Sequence, residues 1–425
     1  MALRKSLVPR AALAMTSVAL LTLTACGGGN GAESAQEENK TARGPITYVE
    51  GKDTTETGVI KQIIDLWNSS HPEEQVTFKE EPSDADQARS DMVQHLQAEE
   101  SDYDVLGLDV IWTAQFAANG WIQPLRDDFA IDTSALLPPT VASATYNGTL
   151  YAAPKNTNGG LLFYRSDLVP APPRTWSDMM AACGIARTNN IGCYSGQFAQ
   201  YEGLTVNTSE AVNAHGGSFV GPDGRAPTVD SPQARAGLQQ LVDGFAAGNI
   251  PPEAITWKEQ DSQRAFENGQ LLFLRNWPYV FGTAAKESSQ VRGKYNVAPL
   301  PGVNGVGTST LGGYNVAISS FSEHKATALD FVKFMTSEPV QRIIAGGALP
   351  PTMASLYDDP VLVQQMPYLP ALEESIANAV PRPVTPFYPA VSKSVQDNAY
   401  AALKREKSVD QAIADMQAGI QAAGS

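Results

Sequence analysis

Residues 104–125 read DVLGLDVIWTAQFAANGWIQPL, and their pattern indicates how the chain folds. The apolar run at the front predicts a buried strand, and the segment TAQFAANG predicts a short helix that ends at Gly120. Asp109 lies at or just past the end of the predicted strand. Its carboxylate therefore either faces a ligand beyond the strand or caps the helix that follows.

Alternating strand and helix patterns precede this stretch. Residues 45–51 (PITYVEG) and 74–82 (EQVTFKEEP) have strand character, whereas residues 57–72 and 88–100 place their apolar side chains on one helical face. This βαβαβ order predicts a parallel sheet with helices on both faces. Because ligands of such sheets bind beyond the carboxyl ends of the strands, Asp109 is well placed to meet one.

A second α/β series begins near residues 150–168. Its helices show apolar stripes and N-cap residues, and a break is expected near Glu338–Pro339. Helices are predicted at 174–186, 230–249, 324–347 and 407–423, capped by Thr175, Ser231 and Ser408, and strands within 261–280, 295–302 and 311–319. The chain is therefore expected to belong to the α/β class with more than one domain.

The N-terminus has the features of an export signal. Arg4, Lys5 and Arg10 precede an apolar run that is too short to span a bilayer. Residues 23–26 (LTAC) are similar to the bacterial lipobox, in which the cysteine is lipidated and becomes the new N-terminus; an ordinary signal peptide is the alternative. We therefore expect a signal peptide at 1–25, and a lipidated (palmitate-carrying) Cys26 followed by a flexible tether at 26–44.

Composition excludes some classes of partner. The formal net charge is −15, and removal of the signal makes it more negative by three charges. This acidity argues against nucleic acid as a partner and against electrostatic adhesion to anionic lipid, so the lipid would be the sole membrane anchor. Two cysteines remain after Cys26, and for an exported chain a disulfide between Cys183 and Cys193 is favoured over free thiols.

Motifs for catalysis and metal binding are absent from the sequence. The four histidines are scattered without metal-type spacing, and no HExxH, GxSxG or phosphate-binding glycine loop occurs. We expect no cofactor, no metal and no enzymatic activity. Carboxylates are numerous, however, so a pair that hydrolyses glycosides stays open as an alternative.

Several segments together resemble the extracellular solute-binding lipoproteins of ABC sugar importers. Besides 104–125, the matching segments are FENGQLLFLRNWPYV (266–280), LGGYNVAIS (311–319), ALDFVKFMTSEPVQ (328–341) and RPVTPFYPAVSKSVQ (382–396), in the family's order. Within 104–125 the matching positions are Asp104, Asp109, Trp112, Ala117, Gly120 and Pro124–Leu125. The pairing of NWPY with RPVTPFY is most similar to the trehalose- and maltose-binding members.

The resemblance implies a two-lobed fold of the periplasmic-binding-protein type, with a ligand cleft between two sheets flanked by helices. Lobe I would comprise 45–152 and 300–348, and lobe II 153–299 and 349–425. The chain would cross between lobes near Tyr151–Pro154, Pro299–Pro301 and Gly346–Pro351. A hinge of this kind closes around its ligand.

A sugar presents hydroxyl edges and weakly apolar faces, so its site needs carboxylates, amides and aromatic rings. The candidates are Asp109, Asn156, Trp257, Glu259, Trp277, Gly312, Gly313, Tyr314 and Arg382, with Lys52 and Asp53 after the first strand. The structural alternatives are a turn at Asn156, a solvated loop at Trp257 and Glu259, a core position for Trp277, a bulge at Gly312–Gly313 and a surface ion pair for Arg382.

The function that this resemblance implies is capture of an oligosaccharide, such as trehalose or maltose, on the extracytoplasmic face of the membrane. The expected partners are the transmembrane subunits of an ABC permease, and a monomer is expected. One alternative is the same fold binding a glycerophosphodiester or an amino sugar. A second alternative is a lipid-anchored glycoside hydrolase.

Overall fold

Two β-sheets organise the part of the chain that the computed structural model describes, which is residues 40–53, 55, 57–82, 85–222, 224–347 and 349–424. The predicted signal peptide, Cys26 and nearly all of the predicted tether lie outside these residues. The strands are β1 (Ile46–Gly51), β2 (Val76–Glu81), β3 (Val105–Asp109), β4 (Thr145–Tyr146), β5 (Thr149–Leu150), β6 (Ala153–Asn158), β7 (Leu161–Tyr164), β8 (Gly192–Ser195), β9 (Leu271–Asn276), β10 (Asn296–Pro299), β11 (Thr310–Ile318) and β12 (Val380–Pro381).

Helices cover the sheets, and short 3₁₀ turns occur at Asp127–Phe129, Pro252–Thr256 and Ala354–Leu356. The α-helices are α1 (Val59–Ser70), α2 (Ala85–Gln97), α3 (Thr113–Ala118), α4 (Pro138–Ser143), α5 (Trp176–Thr188), α6 (Glu202–Ala214), α7 (Pro232–Ala246), α8 (Glu259–Glu267), α9 (Val280–Ala284), α10 (Lys325–Met335), α11 (Glu338–Gly346), α12 (Pro360–Gln365), α13 (Leu369–Ala377), α14 (Tyr388–Leu403) and α15 (Val409–Ala423). Among these described helices, none has both the length and the apolar character needed to cross a bilayer.

The first sheet has the strand order β12–β11–β3–β1–β2, and β6 also pairs with β11. Strand β1 runs parallel to both β2 and β3, which confirms the predicted βαβαβ unit. Successive side chains of β1 point to opposite faces. Tyr48 packs with Ile63 of α1 and Phe331 of α10, whereas Val49 packs with Met92 of α2. The sheet is therefore covered on both faces, as expected for parallel strands.

The second sheet has the order β10–β7–β9–β8, with β7 antiparallel to both β9 and β10. Alternate residues of β7 again enter different cores. Leu162 belongs to a cluster that includes side chains of α5, α6, α7, α14 and α15, whereas Phe163 packs with side chains of α8 and α13. The two sheets with their separate cores confirm the predicted two-lobed α/β architecture.

Strand pairing corrects one of the predicted passages between the sheets. Residues 153–158 form β6 and pair with β11 in the first sheet, and the second sheet begins at Leu161. The first passage therefore lies at Gly159–Gly160 and not near Tyr151–Pro154. The lobe limits otherwise stay a prediction. The predicted division of residues 324–347 is confirmed, because α10 ends at Met335 and α11 begins at Glu338.

The predicted N-caps are confirmed. The side-chain oxygens of Thr175, Ser231 and Ser408 accept hydrogen bonds from the third residue of the helix that each precedes. In the second lobe, Cys183 of α5 and Cys193 of β8 form a disulfide with their Cα atoms 5.1 Å apart. The bridge joins the middle of α5 to the strand that follows it.

Candidate functional site

Strand β11 brings together the ends of segments that are far apart in the sequence. Tyr314 lies in register with Asp109 of β3 on one side and with Asn156 of β6 on the other. Leu311 pairs with Pro381 of β12, which directly precedes Arg382. The register of one strand therefore places Asp109, Asn156, Tyr314 and Arg382 at the same region of the first sheet.

Gly313 allows β6 and β11 to approach each other closely. Its φ of 122° lies in a region that L side chains rarely adopt, and an added Cβ would lie 2.2 Å from the backbone oxygen of Asn156. The register of this strand pair shifts directly after Tyr314, so the predicted alternative of a bulge lies one residue away. The backbone oxygen of Gly313 accepts a hydrogen bond from Val110, just past the end of β3.

Arg382 lies between two carboxylates and is almost fully buried, with 4% of its side chain exposed. Its Nη1 donates to Glu202 at 2.7 Å and its Nη2 donates to Asp109 at 3.2 Å. Its Nε, also buried, has no hydrogen-bond partner among the residues that the structure describes. The predicted alternative of a surface ion pair is therefore wrong for Arg382, since its guanidinium is buried and each partner carboxylate is only 18% exposed.

Glu202 is the second carboxylate, and it comes from the first turn of α6. Besides Arg382, it accepts hydrogen bonds from the Tyr388 hydroxyl and the Ser392 hydroxyl, each at 2.5 Å. Burial tends to lower the pKa of Arg382, but Asp109, Tyr388 and Glu202 outweigh it and raise that pKa. The guanidinium therefore stays charged within the cluster, where two carboxylates oppose one cation.

The Asp109 carboxylate accepts the backbone N–H of Ile111 at 3.2 Å in addition to its bond from Arg382. Helix α3 begins later, at Thr113, and its N-cap residue Trp112 makes no side-chain cap bond. Asp109 is therefore not the N-cap of that helix. Burial raises the pKa of Asp109 above its ordinary value of 3.8, and the positive charge of Arg382 opposes this shift.

Trp277 follows β9 and is half-buried. The Arg275 guanidinium lies over its ring at 4.1 Å from the centroid, and the ring edge lies beside Gly312, where an added Cβ would come within 3.3 Å of it. Arg275 is itself held by the Glu210 carboxylate through bonds of 2.8 and 2.5 Å. A cation–π contact with a buried arginine fixes the plane of an aromatic ring.

Trp257 and Glu259 occupy different environments, although they are close in sequence. Trp257 packs against two hydrophobic clusters of the second lobe, and its backbone oxygen accepts the N–H groups of Phe198 and Ala199. Glu259 begins α8 and accepts a hydrogen bond of 2.7 Å from the Tyr201 hydroxyl. The structure therefore gives Trp257 a packing position and places Glu259 in a polar cluster.

The described contacts of Lys52 and Asp53 are all with residues near them. Lys52 is exposed and lies 3.8 Å from Glu80, which is a surface ion pair. Asp53 accepts the backbone N–H groups of Thr55 and Ile60, where α1 begins. These contacts do not join the two residues to Arg382 or Trp277.

Several buried polar atoms without a partner in the described part of the chain belong to residues that β11 assembles, among them Arg382, Asn156 and Asn315. Within the described residues, buried side-chain atoms without a hydrogen-bond partner are Nε of Arg382, Oδ1 of Asn156, the Tyr279 hydroxyl, Oγ1 of Thr385, Nε of Arg89 and Oδ1 of Asn315. Burial and then the Glu259 charge raise the pKa of the Tyr279 hydroxyl, which keeps it a donor. Buried polar atoms of this kind normally find a partner, so several here are available to a polar ligand.

The space beside Arg382 is small in this conformation. A cavity of about 10 Å³ is bordered by Val110, Leu311 and Arg382, a volume that suits at most a water molecule. A larger crevice of about 470 Å³ is lined mainly by residues 303–308, and it contains none of the predicted site residues. A ligand larger than water therefore enters beside Arg382 only if the surrounding segments move apart.

One group of side chains in the described residues has donor atoms close enough to share a metal ion. The group consists of His95, Glu100 and Asp102. The two ring nitrogens of His95 face different carboxylates, Nδ1 facing Glu100 at 2.7 Å and Nε2 facing Asp102. Direct contacts between the histidine ring and the two carboxylates account for this arrangement without a metal.

Sequence reasoning missed Glu202, Tyr279, Tyr388 and Arg275. Arg275 carried a signal, because it is a charge within the apolar strand segment LLFLRNW and its burial requires a partner. No feature of the sequence indicated Glu202, because its partner Arg382 lies 180 residues away along the chain.

Comparison with known proteins finds a matching family and a related protein. Residues 51–342 match the family described as bacterial extracellular solute-binding protein. A probable ABC transporter-binding protein of Deinococcus radiodurans is 31% identical over 355 residues, which cover 79% of this chain and 83% of that protein.

Solved structures show the same fold. Maltose-bound MalE3 of T. maritima is 34% identical, with a TM-score of 0.81 over 89% of this chain and 99% of that chain. A solute-binding protein of Thermotoga lettingae bound with α-D-tagatose is 23% identical, with a TM-score of 0.79 over 90% of this chain and 100% of that chain. The chain therefore belongs to the family of bacterial extracellular solute-binding proteins.

Proposed function

We propose that this chain is an extracytoplasmic sugar-binding lipoprotein that captures a glucose disaccharide, such as maltose or trehalose, and delivers it to an ABC importer. The observation that carries the proposal is the set of unpartnered polar atoms, above all Nε of Arg382, among the residues that β11 assembles. The maltose-bound relative, 34% identical over nearly its whole length, supports the choice of sugar.

The chemistry of the cluster suits a neutral sugar. Arg382 and Asp109 are ionised groups that bond to hydroxyls more strongly than neutral groups do. The fixed ring of Trp277 offers a flat apolar surface for the CH face of a pyranose. Asn156 adds an amide oxygen that accepts from a hydroxyl.

The charge balance distinguishes the alternatives. Arg382 is opposed by Asp109 and Glu202, so the cluster has one cation and two anions. A glycerophosphodiester would require an excess of cations and is disfavoured. A cationic amino sugar is compatible with the extra negative charge and is therefore the second candidate.

Capture requires opening and closing. The cavity of about 10 Å³ beside Arg382 is too small for a disaccharide, so the lobes separate to admit one. The permease pair would then recognise the closed form. Lipidation of Cys26 would hold the chain at the outer face of the membrane, with 27–44 as the tether.

A thermal-shift screen of the purified protein tests this proposal. Maltose, trehalose, glucosamine, a glycerophosphodiester and a pentitol are each added at increasing concentration. A ligand at about 100 times its Kd stabilises the folded state by about 2.7 kcal/mol, which raises the melting temperature visibly. We expect a shift with maltose or trehalose, and none with the phosphodiester.

Other outcomes of the screen decide between the alternatives. A shift with glucosamine alone would replace the disaccharide by an amino sugar. No shift with any sugar would contradict the proposal. Release of glucose from the bound disaccharide over time, followed by chromatography, would show a hydrolase instead of a binding protein.

A further inference from the structure

Glu202 holds the cation of the cluster from the side opposite Asp109. Its Oε1 accepts from Nη1 of Arg382 at 2.7 Å, whereas Asp109 accepts from Nη2 at 3.2 Å. Both terminal nitrogens of the planar guanidinium thereby donate hydrogen bonds, whereas Nε has no partner within the described part of the chain. The two carboxylates therefore determine which edge of the guanidinium remains available.

The Glu202 carboxylate is itself fixed by its surroundings. It accepts from the hydroxyls of Tyr388 and Ser392, both on α14. The Ser392 hydroxyl also accepts from Gln396 at 2.9 Å. Glu202 also lies in the first turn of α6, where the partial positive charge of the helix N-terminus attracts a carboxylate.

We propose that Glu202 is a positioning residue for sugar binding, which holds the Arg382 guanidinium so that its Nε donates to a sugar hydroxyl. This inference rests on the proposed function. In this role Glu202 contacts Arg382, Tyr388 and Ser392 and not the sugar itself, and its Oε1 already accepts two hydrogen bonds, from Arg382 and Tyr388. It acts through Arg382, and it contributes to affinity only while Arg382 is present.

A double-mutant cycle tests this role. The affinities of the wild type, Glu202→Gln, Arg382→Lys and the double variant for maltose and trehalose are measured by calorimetric titration. Lysine keeps the positive charge between the carboxylates but lacks the planar fork and Nε. Glu406→Gln, at an exposed carboxylate paired with Lys404, is the matched control.

We expect Glu202→Gln to weaken binding about tenfold, which is the loss of about one charge-assisted hydrogen bond. The double variant should bind within about threefold of Arg382→Lys alone, because two groups that act as one unit are not additive. Glu406→Gln should bind like the wild type. In nitrogen-15 NMR of the sugar-free protein, the Nε–H signal of Arg382 should shift in Glu202→Gln and stay unchanged in Glu406→Gln.

Three results would overturn the inference. They are wild-type affinity in Glu202→Gln, losses that multiply in the double variant, and an unchanged Nε–H signal of Arg382. If Glu202→Gln fails to fold, Ser392→Ala carries the test, since it removes the hydrogen bond to Oε2 of Glu202 without touching Arg382 and should weaken binding about threefold. Failure of the wild type to bind any sugar would instead contradict the proposed function, so the two failures are distinguishable.

Discussion

The Arg382 guanidinium donates a hydrogen bond to Asp109 across 3.2 Å, although 273 residues separate them along the chain. Strand β11 explains the contact, because it pairs with β12 just before Arg382 and with β3 at Asp109. The ion pair therefore depends on the register of β11 with its neighbours.

Gly313→Ala should destabilise the protein by about 1–3 kcal/mol, because alanine is strained at a φ of 122° and its Cβ would collide with the Asn156 backbone. Gly282→Ala is the matched control. That glycine lies within α9 with nothing within 4 Å of an added Cβ, so alanine should stabilise by up to about 1 kcal/mol. Denaturant unfolding of both variants measures the difference. Equal effects of the two substitutions would contradict the proposed close approach of β6 and β11.

The disulfide between Cys183 and Cys193 closes a loop of about ten residues and should contribute roughly 2–3 kcal/mol to the free energy of unfolding by the loop-entropy model. Replacing both cysteines by alanine should therefore lower the melting temperature by several degrees. Mass spectrometry of peptides prepared without reductant checks the bridge directly in exported protein. Recovery of two free thiols, or an unchanged melting temperature in the double variant, would contradict it.

As the pH falls, sugar binding should weaken before the pH reaches 3.8, the ordinary pKa of Asp, because burial raises the pKa of Asp109. The effect of Asp109 on the stability of the fold has the opposite dependence on pH. A raised folded-state pKa means that Asp109 contributes stability below its unfolded pKa, and that this contribution is lost as the pH rises through the folded value. Asp109 itself should therefore not cause acid unfolding.

Maltose is titrated into the wild type and into Asp109→Asn between pH 3.5 and pH 7, a range that includes the ordinary Asp pKa of 3.8. These titrations separate the effect of Asp109 on sugar binding from its effect on folding. The wild type should lose affinity on acidification, whereas Asp109→Asn should be weaker at neutral pH and change less. A pH profile that is identical in both proteins would assign the dependence to another group.

Cys26→Ala should release the protein from the membrane, because the LTAC segment is the expected lipidation site. Fractionation of cells that express the wild type and the variant at equal level measures this. Since one acyl chain binds membranes weakly, stable retention of the wild type also implies more than one chain. Equal membrane retention of both proteins would contradict lipid anchoring at this residue.

Strands β1, β2 and β3 of the first sheet could be predicted because the local spacing of apolar residues marks each strand and helix in this part of the chain. Alternation of strand and helix patterns from residue 45 to 125 requires parallel strands, and β1, β2 and β3 follow it. Asp109 and Arg382 were candidates because one ends a buried strand and the other lies between two prolines. The structure brings them into contact, and their part in sugar binding stays a prediction.

The remaining parts of the site arise from long-range packing. Helix α6 carries no apolar stripe that marks it, because it is buried on nearly all sides and contains Thr, Asn, Ser and Glu. Glu202 was missed with the helix that carries it. The placement of β11 between β3, to which it is antiparallel, and β12, to which it is parallel, cannot be read from local sequence either, and it brings Asp109 to Arg382.

Replacement of Arg382 needs care, because its removal would leave two largely buried carboxylates, each 18% exposed, without their cation. Such a change is expected to destabilise the fold by about 3–5 kcal/mol. Arg382→Lys keeps the charge and removes the fork, so it separates binding from folding. Arg292→Lys, at an exposed arginine that pairs with Glu287, is the matched control.

Calorimetric titration of maltose and trehalose into the wild type, Arg382→Lys and Arg292→Lys tests most directly whether the cluster around β11 is a sugar site. We predict saturable binding by the wild type and by Arg292→Lys, and binding at least about tenfold weaker in Arg382→Lys, at closely similar melting temperatures. Equal affinity in Arg382→Lys and the wild type would contradict the assignment of the sugar site to this cluster.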